Sequence, residues 1–150
     1  MAGGFCANGE IDPAENLVVW MQIARSGFIN DTYGGTVGAA QSVFQPTNPG
    51  NSPGNPFGGF YVVVHDSDYG DALSTAPAKL LNVKTGGGLP SGVVAEIDRK
   101  LDDGNAATGP IRATITYGGQ AAGCTTGANG TSTLAYANID IKSCGGVAIQ

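Results

Sequence analysis

The sequence predicts an α+β fold: a short N-terminal helix, a long Gly- and Pro-rich loop, a small antiparallel β-sheet and a short inserted helix. Three observations lead there. Apolar residues recur at helical spacing over 13–26 and again over 91–104. Short β-branched or alternating runs at 60–64, 78–83, 111–117 and 134–141 read as strands. The 25 Gly and 8 Pro break up what remains. A chain of 150 residues suits one domain, and 41% hydrophobic residues can supply its core.

The first helix is signposted at both ends. Asp12-Pro13-Ala14-Glu15 reads as an N-cap, a proline at the first helical position and an acid that reaches back to the cap. Leu17, Trp20, Met21 and Ala24 share one face, with Trp20, the only Trp, as a core anchor. Gly27 can take the left-handed conformation that ends a helix, and Phe28 and Ile29 are expected to pack back on the last turn. Residues 30–59 then carry Pro46, Pro49, Pro53, Pro56 and several Gly, so they form a loop with at most a short extended stretch at Ser42-Val43-Phe44.

Phe60-Tyr61-Val62-Val63-Val64 reads as a buried strand, and Ala78 to Val83 as another, stopped by Thr85-Gly86-Gly87-Gly88. Ser91 can cap a second helix whose Val93, Val94, Ile97 and Leu101 lie on one face and which Gly104 ends. Ile111 to Tyr117 alternates as a strand with one wet face. Gly118 to Gly130 reads as loop, Leu134 to Ile141 alternates again, and Gly145-Gly146 turns into Val147-Ala148-Ile149.

The net charge is −5, and seven Lys+Arg spread along the chain make no basic stripe. Nucleic acid and anionic membrane surfaces are poor partners on that basis. No apolar run is long enough to span a bilayer. The opening Met1-Ala2-Gly3-Gly4 reads as an initiator joined to the middle of a protein. The three Cys, Cys6, Cys124 and Cys144, form no C-x-x-C pair, and one His cannot complete a common zinc set with them. Cys124 and Cys144 lie in the Gly-rich C-terminal third. Paired, they would close a loop of about twenty residues worth roughly 3 kcal/mol; unpaired, they are two packed thiols.

Candidate chemistry is sparse. Asp98, Asp102 and Asp103 can offer carboxylates to Ca²⁺, since Asp98 and Asp102 share a helix face and Asp103-Gly104 adds turn carbonyls. The plainer reading is a solvated helix end, its charge offset by Arg99 and Lys100. Asp66-x-Asp68-x-Gly70-Asp71 faintly resembles a calcium loop but lacks the twelve-residue spacing and the terminal Glu. The sole His, His65, has no nucleophile and orienting acid arranged around it, no Gly-x-Ser-x-Gly elbow occurs, and Gly86-Gly87-Gly88 lacks the ending of a phosphate loop. An enzyme is not expected. A secreted carbohydrate-binding module would need aromatic residues on a flat face, for which Tyr33, Tyr61, Tyr69, Tyr117 and Tyr136 are available.

Two stretches carry a family resemblance. Glu15 through Gly35 contains Glu15-x4-Trp20-Met21-x2-Ala24-x2-Gly27-Phe28-Ile29-x3-Tyr33-Gly34-Gly35, with Met21-Gln22-Ile23 where Gln-His-Leu is usual. Ile97-Asp98-Arg99-Lys100-Leu101-Asp102-Asp103-Gly104-Asn105-Ala106-Ala107-Thr108-Gly109 follows an Ile-Asp-x-Lys-Ile-Asp-Asp-Gly-x-Pro-x-Thr-Gly line, with Ala106 in place of Pro. The second is the more specific. With the Gly- and Asn-rich lead-in from Gly3 to Ile11 and the Cys-containing C-terminal region, they cover about a third of the chain and resemble the soluble head domains of prepilin-type proteins, that is, type IV pilins and pseudopilins.

The resemblance implies a structural subunit of a type IV pilus or pilus-like filament, used in adhesion, motility or DNA uptake. Its alternative within the family is a pseudopilin of a type II secretion system. It implies a leader and a long hydrophobic helix, absent from these 150 residues, that sits in the inner membrane and then in the filament core; a second chain carrying that helix is the variant. Expected partners are copies of itself, other pilins and an inner-membrane assembly platform, with membrane contact only through that helix. The expected location is an extracellular pilus, or the inner membrane with the head in the periplasm. A Cys-containing C-terminal strand region is usual in the family, so a Cys124–Cys144 disulfide and an oxidising compartment are expected. The 30–59 loop and the Cys124–Cys144 loop are the expected contact surfaces.

Overall fold

The computed structural model describes residues 8–13, 15–35, 50–115, 123–137, 141–142 and 144–150. The expected stretch at Ser42–Phe44, and Cys6, lie outside them. The fold is α+β. Helices α1 (Asn16–Arg25) and α2 (Ser91–Leu101) accompany strands β1 (Val62–Asp66), β2 (Leu80–Lys84), β3 (Ile111–Ala113), β4 (Thr125–Thr126), β5 (Ala135–Tyr136) and β6 (Gly146–Ile149).

Helix α1 begins later than its cap signal suggests. Glu15 does reach back, its Oε2 accepting the Asp12 main-chain N–H at 3.0 Å. The Asp12 carboxylate, however, is taken by Lys79 Nζ at 3.1 Å and Asn8 Nδ2 at 3.2 Å, so only half of the capping box forms. The helix ends as expected. Gly27 has φ +81°, its N–H bonds the Ala24 carbonyl at 3.0 Å, and the Phe28 N–H bonds the Ile23 carbonyl at 3.3 Å, which is a Schellman closure. The hydrophobic contact that often completes that motif is missing: Phe28 is 84% exposed. Trp20 is half-buried and donates its indole N–H to the Tyr61 carbonyl at 3.1 Å, tying α1 to the chain just before β1.

Four strands pair antiparallel in the order β1-β2-β6-β3, placing the last strand of the chain inside the sheet. The register puts Val62, Val64, Asn82, Lys84 and Val147 on one face, and Val63, Val83, Ala148 and Ile111 on the other. Helix α2 lies against the second face: a methyl group added at Gly146 would come within 3.1 Å of Val94 Cγ1. Strand β3 ends at Ala113, short of the expected Tyr117, although the Thr114 N–H still bonds the Gly145 carbonyl at 3.1 Å in register with the β3–β6 pairing; Thr116 and Tyr117 lie outside the described residues. Strands β4 and β5 form a separate ribbon. Thr125–Thr126 lies in the stretch read as loop, since a two-residue strand is too short to show alternation.

Two expectations for α2 need correcting. Ser91 is its first residue rather than its cap. It is fully buried and its N–H bonds the Ile141 carbonyl at 2.8 Å, while Pro90 flanks the helix. Leu101 is 70% exposed although it falls on the apolar stripe. The stripe's upper part does build core: Leu89, Val94, Cys124 and Cys144 cluster, with Val93, Ile97, Tyr136 and Ile141 packed against them. Among the described residues, no helix is long and apolar enough to cross a membrane.

Candidate functional site

The structure brings Asp98, Asp102 and Asp103 together at the C-terminal end of α2, with one carboxylate oxygen from each within 4.8 Å of the others. It also shows what those carboxylates bind. Asp98 is fully buried; its Oδ1 accepts the Gly104 N–H at 2.9 Å and its Oδ2 the Tyr136 hydroxyl at 2.6 Å. Asp102 Oδ2 accepts the Ile111 N–H at 2.9 Å. Asp103 accepts the Asn105 N–H at 2.8 Å and the Thr108 hydroxyl at 2.5 Å. The cluster thus folds the 102–111 turn onto itself. Gly109 shows how tightly: its φ is +70°, and a methyl group there would lie 1.9 Å from Asp102 Oδ2.

Burial pushes the Asp98 carboxyl above the usual carboxylate range, against the opposing pull of its hydrogen bonds from Tyr136 and Gly104. Burial, with the Asp98 hydrogen bond and charge, likewise raises the Tyr136 hydroxyl. Asp103 shifts the other way, held below its ordinary value first by the Thr108 hydroxyl. Arg99 and Lys100, read as offsetting the helix-end charge, instead pair with Glu96. The partnership with Tyr136 was not visible in the sequence, where the two residues stand 38 apart.

The second acidic group also has a partner that the sequence did not suggest. Lys84 is fully buried, and its Nζ lies 2.6 Å from Asp66 Oδ2 and 3.1 Å from Asp68 Oδ2. Asp71 does something different: its Oδ1 accepts the Leu73 and Ser74 N–H groups, while its Oδ2 is 3.6 Å from Arg112. The run Asp66 to Asp71 therefore surrounds side-chain cations and turn amides. Its one sequence clue was a charged residue at an inward position of a strand.

Cys124 and Cys144 form a disulfide with Cα atoms 5.6 Å apart, both nearly inaccessible to solvent. The bond anchors β4 beside the Leu89–Cys144 bridge at the head of α2. His65 lies near the end of β1, where its Nδ1 accepts the Ile11 N–H at 2.8 Å while its own N–H bonds the Ile11 carbonyl at 2.8 Å. It fastens the N-terminal segment to the sheet edge. Among the described residues the tyrosines assemble no platform: Tyr33 and Tyr69 are buried, and Tyr136 is bonded to Asp98; Tyr117 lies outside the described residues.

Between α2 and the second face of the sheet runs an apolar groove of about 190 Å³, lined among others by Tyr61, Val83, Ile97, Leu101, Ile111 and Ala148. Exposed Leu101 stands at its edge. No family model, curated protein or solved structure matches the chain.

Proposed function

We propose that the chain is the head of a type IV pilin-like filament subunit, packing on a hydrophobic helix that carries it into the filament. The observation that carries this reading is the apolar groove between α2 and the sheet, where Leu101, Val83 and Ile111 offer side chains suited to an apolar helix. The motif that carries the resemblance supports it from another side. In Ile97–Gly109, Asp98, Asp102, Asp103, Gly104, Thr108 and Gly109 all act in one hydrogen-bonded turn that closes the helix end beside this groove. The disulfide suits an oxidising periplasm or cell surface. A catalytic role has little support, because His65 and the clustered carboxylates are committed to structural hydrogen bonds.

The test places a charge in the groove. Leu101→Asp, at an exposed position, should leave folding within about 0.5 kcal/mol of the parent. In a host that assembles the head joined to its hydrophobic helix, the same change should strongly reduce the amount recovered in filaments. Recovery equal to the parent's would argue that the groove seats nothing.

A further inference from the structure

We infer that Lys84 and Asp66 condense into an intramolecular amide, a self-modification that follows folding. Forming an amide from an amine and a carboxylate needs a group to take protons from nitrogen, donors on the oxygen that gathers charge, and a proton source for the oxygen that leaves. All three surround this pair. The Lys84 Nζ is 2.6 Å from Asp66 Oδ2, the oxygen that would leave. Asp66 Oδ1 accepts the Asn82 Nδ2–H at 2.6 Å and the Asp68 main-chain N–H at 3.1 Å, so two donors hold the oxygen on which charge develops. Asp68 Oδ2 stands 3.1 Å from the same Nζ and relays protons.

The step balances. The Lys84 ammonium passes a proton to Asp68, and the freed amine bonds to Asp66 Cγ. The Cγ–Oδ2 bond breaks, and Oδ2 departs as water. Both protons of that water originate on Nζ and travel through Asp68, which ends as the carboxylate it began. No oxidant, cofactor or second substrate is consumed.

Three further features favour the reaction. Lys84 is fully buried, so its nitrogen is held against its target instead of sampling solvent. Condensation also replaces a buried ion pair, which is costly to desolvate, with a neutral amide. Asp66 and Asp68 keep 21% and 14% side-chain exposure, which gives the departing water a way out. The resulting staple would run across the β1–β2 hairpin, joining residues 18 apart in sequence. It needs no particular function for the chain.

Mass spectrometry of the purified chain, reduced and alkylated at its cysteines, tests the inference. The expected mass is lighter than the sequence by one water. Trypsin should fail to cut after Lys84, and fragmentation should show a branched peptide joining Lys84 to Asp66. Asp68→Asn, which retains the side chain's size but cannot relay protons, should give the full mass, as should Lys84→Arg. A parent chain of full mass overturns the inference, as does a missing water that maps to a succinimide at a single aspartate. A lightened Asp68→Asn chain would overturn the relay. If either variant fails to fold, the parent's mass and branched peptide decide the matter alone.

Discussion

Reducing the Cys124–Cys144 disulfide should lower the stability of the chain by about 3 kcal/mol. The bond closes a loop across a sequence separation of 20, and freeing that loop restores conformational entropy to the unfolded chain. The native state also loses, because both sulfurs lie in the cluster with Leu89 and Val94 that seats α2. Denaturant unfolding with and without reductant measures the loss, and a Cys124→Ala, Cys144→Ala chain should reproduce it without responding to reductant. Unchanged midpoints in the parent would mean that the two sulfurs are not bonded in solution.

The second large effect belongs to Asp98. Replacing it with Ala strands the Gly104 N–H and the Tyr136 hydroxyl that its carboxylate accepts, at a cost of roughly 3 kcal/mol. Its pH behaviour is distinctive. Burial raises the folded-state value above the ordinary 3.8, so the native chain holds this proton to higher pH than the unfolded chain does. The associated stability is complete below the ordinary value and is lost as pH rises through the raised one. Asp12, Glu96 and Asp103 have lowered values and act in the opposite sense, losing their contribution as pH falls. The diagnostic quantity is therefore the difference between the parent and Asp98→Asn. That difference should shift against the parent as pH rises above about 4. A difference independent of pH would show that Asp98 titrates normally.

Much of the architecture could be read from local chemistry. The Gly27 helix stop, the β1 run of valines and the stripe of α2 each depend on neighbours a few residues away. The failures share a cause. Leu101 obeys helical periodicity and Phe28 stands where the helix-ending motif places an apolar contact, yet both are exposed, because a local pattern identifies a position without saying what covers it. The site was harder still. Lys84 meets Asp66 and Asp68 only through the fold of the β1–β2 hairpin, and Tyr136 meets Asp98 only after the disulfide-bounded segment packs on α2. Long-range partners of this kind leave no trace in spacing. The Asp98, Asp102 and Asp103 cluster was visible as a cluster, but its hydrogen-bonding role emerged only with the turn that surrounds it.

Peptide mass spectrometry on sheared surface filaments and on the membrane fraction of the source cells tests the central claim most directly. Peptides of this chain are expected in the filaments, joined to or accompanied by a hydrophobic helix. Peptides confined to the inner membrane with such a helix would instead favour a pseudopilin. A wholly soluble protein, with no such helix on its own chain or on a partner's, would contradict the filament reading.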